Sequence, residues 1–119
     1  MAKSARATLA AARKHALSLP ETTEAPHHDY GSFRVRGKIF ATIPPDGEHL
    51  HIFVDDELRE RMVTLHPEAF EKLWWGKKVV GLRVMLAHAS AGQVSELLTT
   101  AWYLKAPKTL VAAFESQRG

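Results

Sequence analysis

The sequence predicts an α+β domain, a two-layer sandwich in which an antiparallel sheet carries helices packed mainly on one face. Three observations predict it. Residues 32–36, 38–43 and 49–54 alternate with a period of two and are separated only by Gly37 and by Pro44-Pro45-Asp46-Gly47, so they read as a meander. Apolar residues at helical spacing occupy both ends of the chain. A further alternating segment, 80–86, arrives only after an intervening helical stretch, which partly segregates strands from helices. With 119 residues, 45% of them apolar, the chain suits a single domain spanning 1–119 whose core needs neither metal nor disulfide.

Taken in order, residues 4–18 are rich in alanine and leucine, and Ala5, Leu9, Ala12 and Ala16 form the narrow stripe of a first helix, closed by Pro20. Residues 21–32, with Pro26 and Gly31 among polar side chains, read as an irregular connection. In the hairpin around Gly37, Phe33, Val35 and Phe40 share one face while Arg34 and Arg36 lie on the other. The third strand sends Leu50, Ile52 and Val54 one way and His49, His51 and Phe53 the other. Asp55 or Asp56 caps a helix reaching about residue 64, with Leu58, Met62 and Leu65 inward, and Pro67 opens a second short helix reaching about residue 74. After the fourth strand, Ser90 and Gln93 match a capping box ahead of Val94, Leu97, Leu98, Ala101 and Trp102. Ala106-Pro107 ends that helix, and Pro107 starts a last one carrying Leu110, Val111 and Phe114.

The composition removes several kinds of chemistry. Without cysteine there is no disulfide scaffold, thiolate nucleophile or cysteine-ligated metal. There is no Gly-x-Ser-x-Gly elbow, and Gly76-Lys77-Lys78 lacks the spacing and hydroxyl of a phosphate-binding loop. Glu21 with Glu24, and Asp55-Asp56-Glu57, stand where acids cap helices and complement their dipoles. The expectation is a chain that is not an enzyme and needs no cofactor. No apolar run reaches the roughly 20 residues of a membrane span, and the N-terminus lacks the pattern of a secretory signal, so the cytoplasm is the expected location and no membrane partner is implied. A monomer is the expected state.

Two binding readings remain. Arg34, Arg36 and Lys38 gather at the first hairpin, and Lys77 and Lys78 follow Trp74-Trp75, which puts cations beside aromatic rings. Phosphate contacts from these residues suit weak binding to DNA, which a net charge of +3 permits. Sequence readout is not implied, because no helix carries a recognition cluster. The alternative is a protein or small-ligand module using an aromatic and histidine-lined face built from Trp75, His49, His51 and Phe53, which requires a concave, partly apolar pocket. His49 and His51 emerge from one strand face about 7 Å apart, with His27-His28-Asp29 as a second cluster, but no spacing brings the two together, so no metal site is assigned.

Several short motifs occur in order: Leu19-Pro20-Glu21 with Glu24, then Gly31 and the run Phe33-Arg34-Val35-Arg36-Gly37-Lys38-Ile39-Phe40-Ala41. Asp55-Asp56-Glu57-Leu58, Trp75-Gly76, and Leu97-Leu98 through Ala101-Trp102 to Ala106-Pro107-Lys108 follow. On these residues, from about 17 to 114, the sequence resembles the MmcQ/YjbR family of small bacterial proteins. The resemblance implies a CyaY/frataxin-like sandwich and DNA binding by a double-wing arrangement. It carries that role to Arg34, Arg36 and Lys38 in the hairpin and to Lys108 after the Ala106-Pro107 break. Trp74-Trp75 with Lys77-Lys78 lies where members vary, so no family role is carried there. The iron-binding acidic ridge of frataxin-like folds is not matched, since the helix with the acidic start also holds Arg59 and Arg61.

Overall fold

The computed structural model describes residues 5–118. In chain order the elements are α1 (Leu9–Ser18), β1 (Thr22–His27), β2 (Tyr30–Val35), β3 (Lys38–Ile43), β4 (His49–Ile52), α2 (Asp56–Leu65), β5 (Phe70–Trp75), β6 (Lys78–Met85), α3 (Ala91–Lys105) and α4 (Lys108–Arg118). The strands form one antiparallel sheet in the order β1-β2-β3-β4-β6-β5. The helices pack on one of its faces: α3 lies over β3 and β4, α1 over β1, and α2 over β5 and β6. This is the α+β two-layer sandwich expected.

The core lies between the layers. Phe33, Val35, Phe40, Leu50, Ile52, Leu82 and Val84 meet Leu98, Ala101 and Trp102 there, all fully buried. A bulge in the β2–β3 ladder sets Phe33 opposite Ala41 and Arg34 opposite Ile39, so Phe40 is the extra residue. Phe40 and Ala41 consequently both face the core, which is how one strand buries two successive side chains. Arg36-Gly37 makes the β2–β3 turn with both residues at positive φ, +47° and +82°, the backbone of a type I′ hairpin. In the β5–β6 turn Gly76 takes φ +59°.

Four expectations are corrected. Residues 22–27 are not an irregular connection but the edge strand β1, paired with β2 throughout. Pro26 misled the reading: proline donates no ladder hydrogen bond and is tolerated at a sheet edge. Residues 70–75 are not a helix but the strand β5, registered against β6 from Phe70↔Val84 to Trp75↔Lys78. The first helix starts at Leu9 with Thr8 as its cap; Ala7 instead donates to the Ala89 carbonyl, and Ser4 lies outside the described residues. Leu65 is exposed at the end of α2, while Leu58 and Met62 do face the core.

Candidate functional site

The face of the sheet opposite the helices is the place where unexplained chemistry collects. Antiparallel register puts Ser32, Thr42, His51, Arg83 and Glu71 in one row across it, from β2 through β3, β4 and β6 to β5. This row would be solvated on a flat sheet, yet Thr42 and His51 are about 95% buried. They form the floor of a groove of about 290 Å³, with Leu73 beside them. Its sides come from His27, His28 and Tyr30 at one end and from Trp74 and Trp75 at the other, with Arg83 along the wall.

Every strand therefore contributes to a single groove. Edge strands five spacings apart would sit about 24 Å from each other in a flat sheet, too far to share one small cavity. The twist of the sheet supplies the concavity. The β1–β2 turn and the β5–β6 turn occupy diagonally opposite corners, and twist lifts such a pair toward the same face.

The floor is a hydrogen-bonded chain with a defined direction. The Arg83 guanidinium has only protons to give, so its Nη1, 3.2 Å from His51 Nε2, fixes that nitrogen as the acceptor. The ring proton then sits on Nδ1, facing Thr42 Oγ1 at 3.4 Å, and the Thr42 hydroxyl proton is left for the groove. Burial, reinforced by the positive charge of Arg83, pushes the His51 pKa down to about 4. His51 is thus neutral at pH 7.

Of the residues singled out from sequence, Trp75 and His51 line this groove. Phe53 supports it from outside: its ring meets Trp75 edge-on at 6.1 Å between centroids. His49 is corrected out of it, because its Nδ1 lies 2.8 Å from Asp46 Oδ2 in the β3–β4 turn. The basic set divides. Arg36 forms a two-pronged pair with Glu21 at 2.7 and 3.1 Å, which holds the Glu21 carboxyl below its ordinary pKa. Arg34 donates to the Pro26 carbonyl and to Ser32 Oγ, both at 3.0 Å. Lys38, Lys77 and Lys78 are exposed at the β2–β3 and β5–β6 turns, which lie at the same end of the sheet. Lys108 opens α4 in the helical layer and does not join them.

Sequence reasoning missed Tyr30, Thr42, Leu73 and Arg83 as groove residues. Arg83 alone had a legible signal, a charge between Leu82 and Val84 at an outward position of a strand. Among the described residues no three His, Asp or Glu side chains converge to hold a metal, and no helix is long and apolar enough to cross a membrane.

A six-stranded antiparallel sheet with all its helices on one side and a concave open face places the molecule among the α+β two-layer sandwiches. Within that class the chain belongs to the YjbR family, whose family model matches residues 17–104. Among solved structures it is similar to the crystal structure of Deinococcus radiodurans protein DR2400, with domain DUF419, at a TM-score of 0.70 and 24% identity over 83% of this chain and 78% of that one. That likeness is one of fold. No curated protein sequence matches the chain.

Proposed function

We propose that this chain is a binding module whose recognition surface is the concave open face of the sheet. One observation carries the reading: all six strands converge on one groove with a polar floor and an aromatic rim, a construction that stability alone does not require. Tyr30, Trp74 and Trp75 stand 37%, 55% and 62% exposed around it, a concentration of large apolar side chains that ordinary surfaces avoid. Binding, rather than catalysis, suits the floor. His51 Nδ1 carries the proton toward Thr42, so the histidine is no base for that hydroxyl.

A second reading, DNA binding through the hairpins, is favoured by the placement of Lys38, Lys77 and Lys78 at one end of the sheet. It is weakened by Arg34 and Arg36, whose guanidiniums are engaged within the chain. The two readings separate in one amide-resolved NMR titration. Small planar compounds are expected to shift resonances of Tyr30, Thr42, Leu73 and Arg83. Saturable binding of short single- or double-stranded DNA that falls steeply with salt, with shifts confined to residues 36–38 and 76–78, would instead establish the hairpin reading.

A further inference from the structure

We infer that the groove takes a small organic anion with a flat apolar body, of the class of aromatic carboxylates. This rests on the open face being the recognition surface and adds the size, shape and charge of what it recognises.

Size comes first. A volume of about 290 Å³ lies at the lower end of ligand pockets, enough for one or two fused rings and an acid group but not for a run of polymer. Shape follows from the register. Along β5 and β6, Arg83, Leu73 and Trp75 succeed one another on the open face, spanning about 13 Å from the first to the last. The middle of that line is Leu73 opposite Gly81, apolar and low, so a flat body laid there meets the tryptophan rim at one end and the guanidinium at the other.

Charge follows from the hydrogen-bond inventory. No carboxylate lines the groove. Tyr30 and Trp75 bring an O–H and an indole N–H donor that have no partner among the described residues, Thr42 adds its remaining hydroxyl proton, and His27 and His28 at the rim bring ring nitrogens that can donate or accept. Both ring nitrogens of His51 are already engaged. The groove therefore offers several donors, no carboxylate and one guanidinium, a balance that favours an anion. Two acids flank Arg83 from outside, Glu71 at 3.5 Å from Nε and Asp46 at 4.0 Å from Nη2. Neither saturates it: Glu71 is more than half exposed, and Asp46 accepts shorter hydrogen bonds from the Glu48 amide and His49. Of five guanidinium protons, the one on His51 is held by the shortest contact, and Nη2, whose nearest acid is Asp46 at 4.0 Å, has no hydrogen bond within the chain and can take a ligand carboxylate.

The test uses three isosteric probes on the unmodified, ¹⁵N-labelled chain: 2-naphthoate, 2-naphthalenemethanol and 2-naphthylmethylammonium. Two indole N–H resonances report. Trp75 stands on the open face at the end of the groove, while Trp102 is fully buried with its Nε1 donating to the Pro20 carbonyl at 3.0 Å and serves as an internal control. Naphthoate is expected to shift Trp75 saturably, leave Trp102 still, and bind at least tenfold tighter than the alcohol. Arg83→Gln should abolish that preference, bringing the ratio of acid to alcohol affinity to about one, and Trp75→Ala, at an exposed position, should weaken all three probes. Equal binding of acid and alcohol, or tighter binding of the ammonium, overturns the charge assignment and leaves the groove standing as a site. If no probe moves Trp75, both the ligand class and the open-face reading fall.

Discussion

At Gly81 the chain leaves no room for a side chain. A Cβ there would lie 2.6 Å from the Ile52 carbonyl oxygen and 3.2 Å from the Phe53 ring, and the first of these is backbone that does not give way. Gly81→Ala is expected to destabilise the fold by about 1–3 kcal/mol, read as a lower urea midpoint, and to loosen the Phe53 ring that supports Trp75. His51 makes the second prediction at this scale. Its folded pKa of about 4 lies below the ordinary 6.5, so between these values the unfolded chain binds more protons than the folded one. Stability should hold above pH 6.5, fall as pH drops toward 4 and level off below. The loss attributable to His51 is about 1–2 kcal/mol once screening through the open groove is allowed for. His15, lowered by burial, acts in the same direction. His51→Asn should flatten the slope in this window in melts run from pH 7 to pH 4; an unchanged slope would show that His51 is not the titrating group. No rule of sequence separates His51 from His49, two residues away on the same face. What distinguishes them is that Arg83 stands beside one and Asp46 beside the other.

Strand β5 shows why element type was only partly legible. Phe70 and Leu73 are its buried residues, three apart, and on a helix that spacing marks one face. On a strand it marks opposite faces: Phe70 enters the core under the helices, and Leu73 floors the groove. A strand covered on both sides thus imitated helical periodicity behind the helix-opening Pro67, and pairing with β6 decided the element type. Phe70→Ala should cost about 3–5 kcal/mol in chemical denaturation, as expected of a fully buried aromatic rather than a residue on a surface helix. The start of α3, by contrast, was written locally. Ser90 Oγ accepts from the Gln93 amide at 3.1 Å and Gln93 Oε1 accepts from the Ser90 amide at 2.9 Å, the reciprocal pair that the residues predict. Ser90→Ala should lower stability by about 1 kcal/mol, with Ser90→Asp recovering most of it. On β1, proline concealed an edge strand that Arg34 and Ser32 hold from the neighbouring strand through the Pro26 and Ala25 carbonyls. That restraint is a structural task for an arginine whose position in the hairpin suggests a phosphate contact.

For the whole molecule, the twist of the sheet matters more than any single contact, because it turns a row of outward side chains into a groove. The fold predicts two classes of tryptophan. Trp74 and Trp75 are exposed and Trp102 is fully buried, so acrylamide should quench the emission in two phases. A Trp74→Phe, Trp75→Phe variant should retain only a blue-shifted, protected component; a single uniform phase in the unmodified chain would contradict the placement of β5. The sequence by itself determined the sandwich class, the β2–β3 and β4 strands, the capped α3 and the aromatic, basic and histidine residues worth following, because these depend on periodicity, turns and caps within a few residues of one another. Only the tertiary structure decided that β1 and β5 are strands, that Arg34 and Arg36 have partners within the chain, and that Tyr30, Thr42, His51, Leu73 and Arg83 share a cavity. Those outcomes depend on pairing and twist between residues as far apart in the chain as His49 and Met85, and no local pattern encodes them.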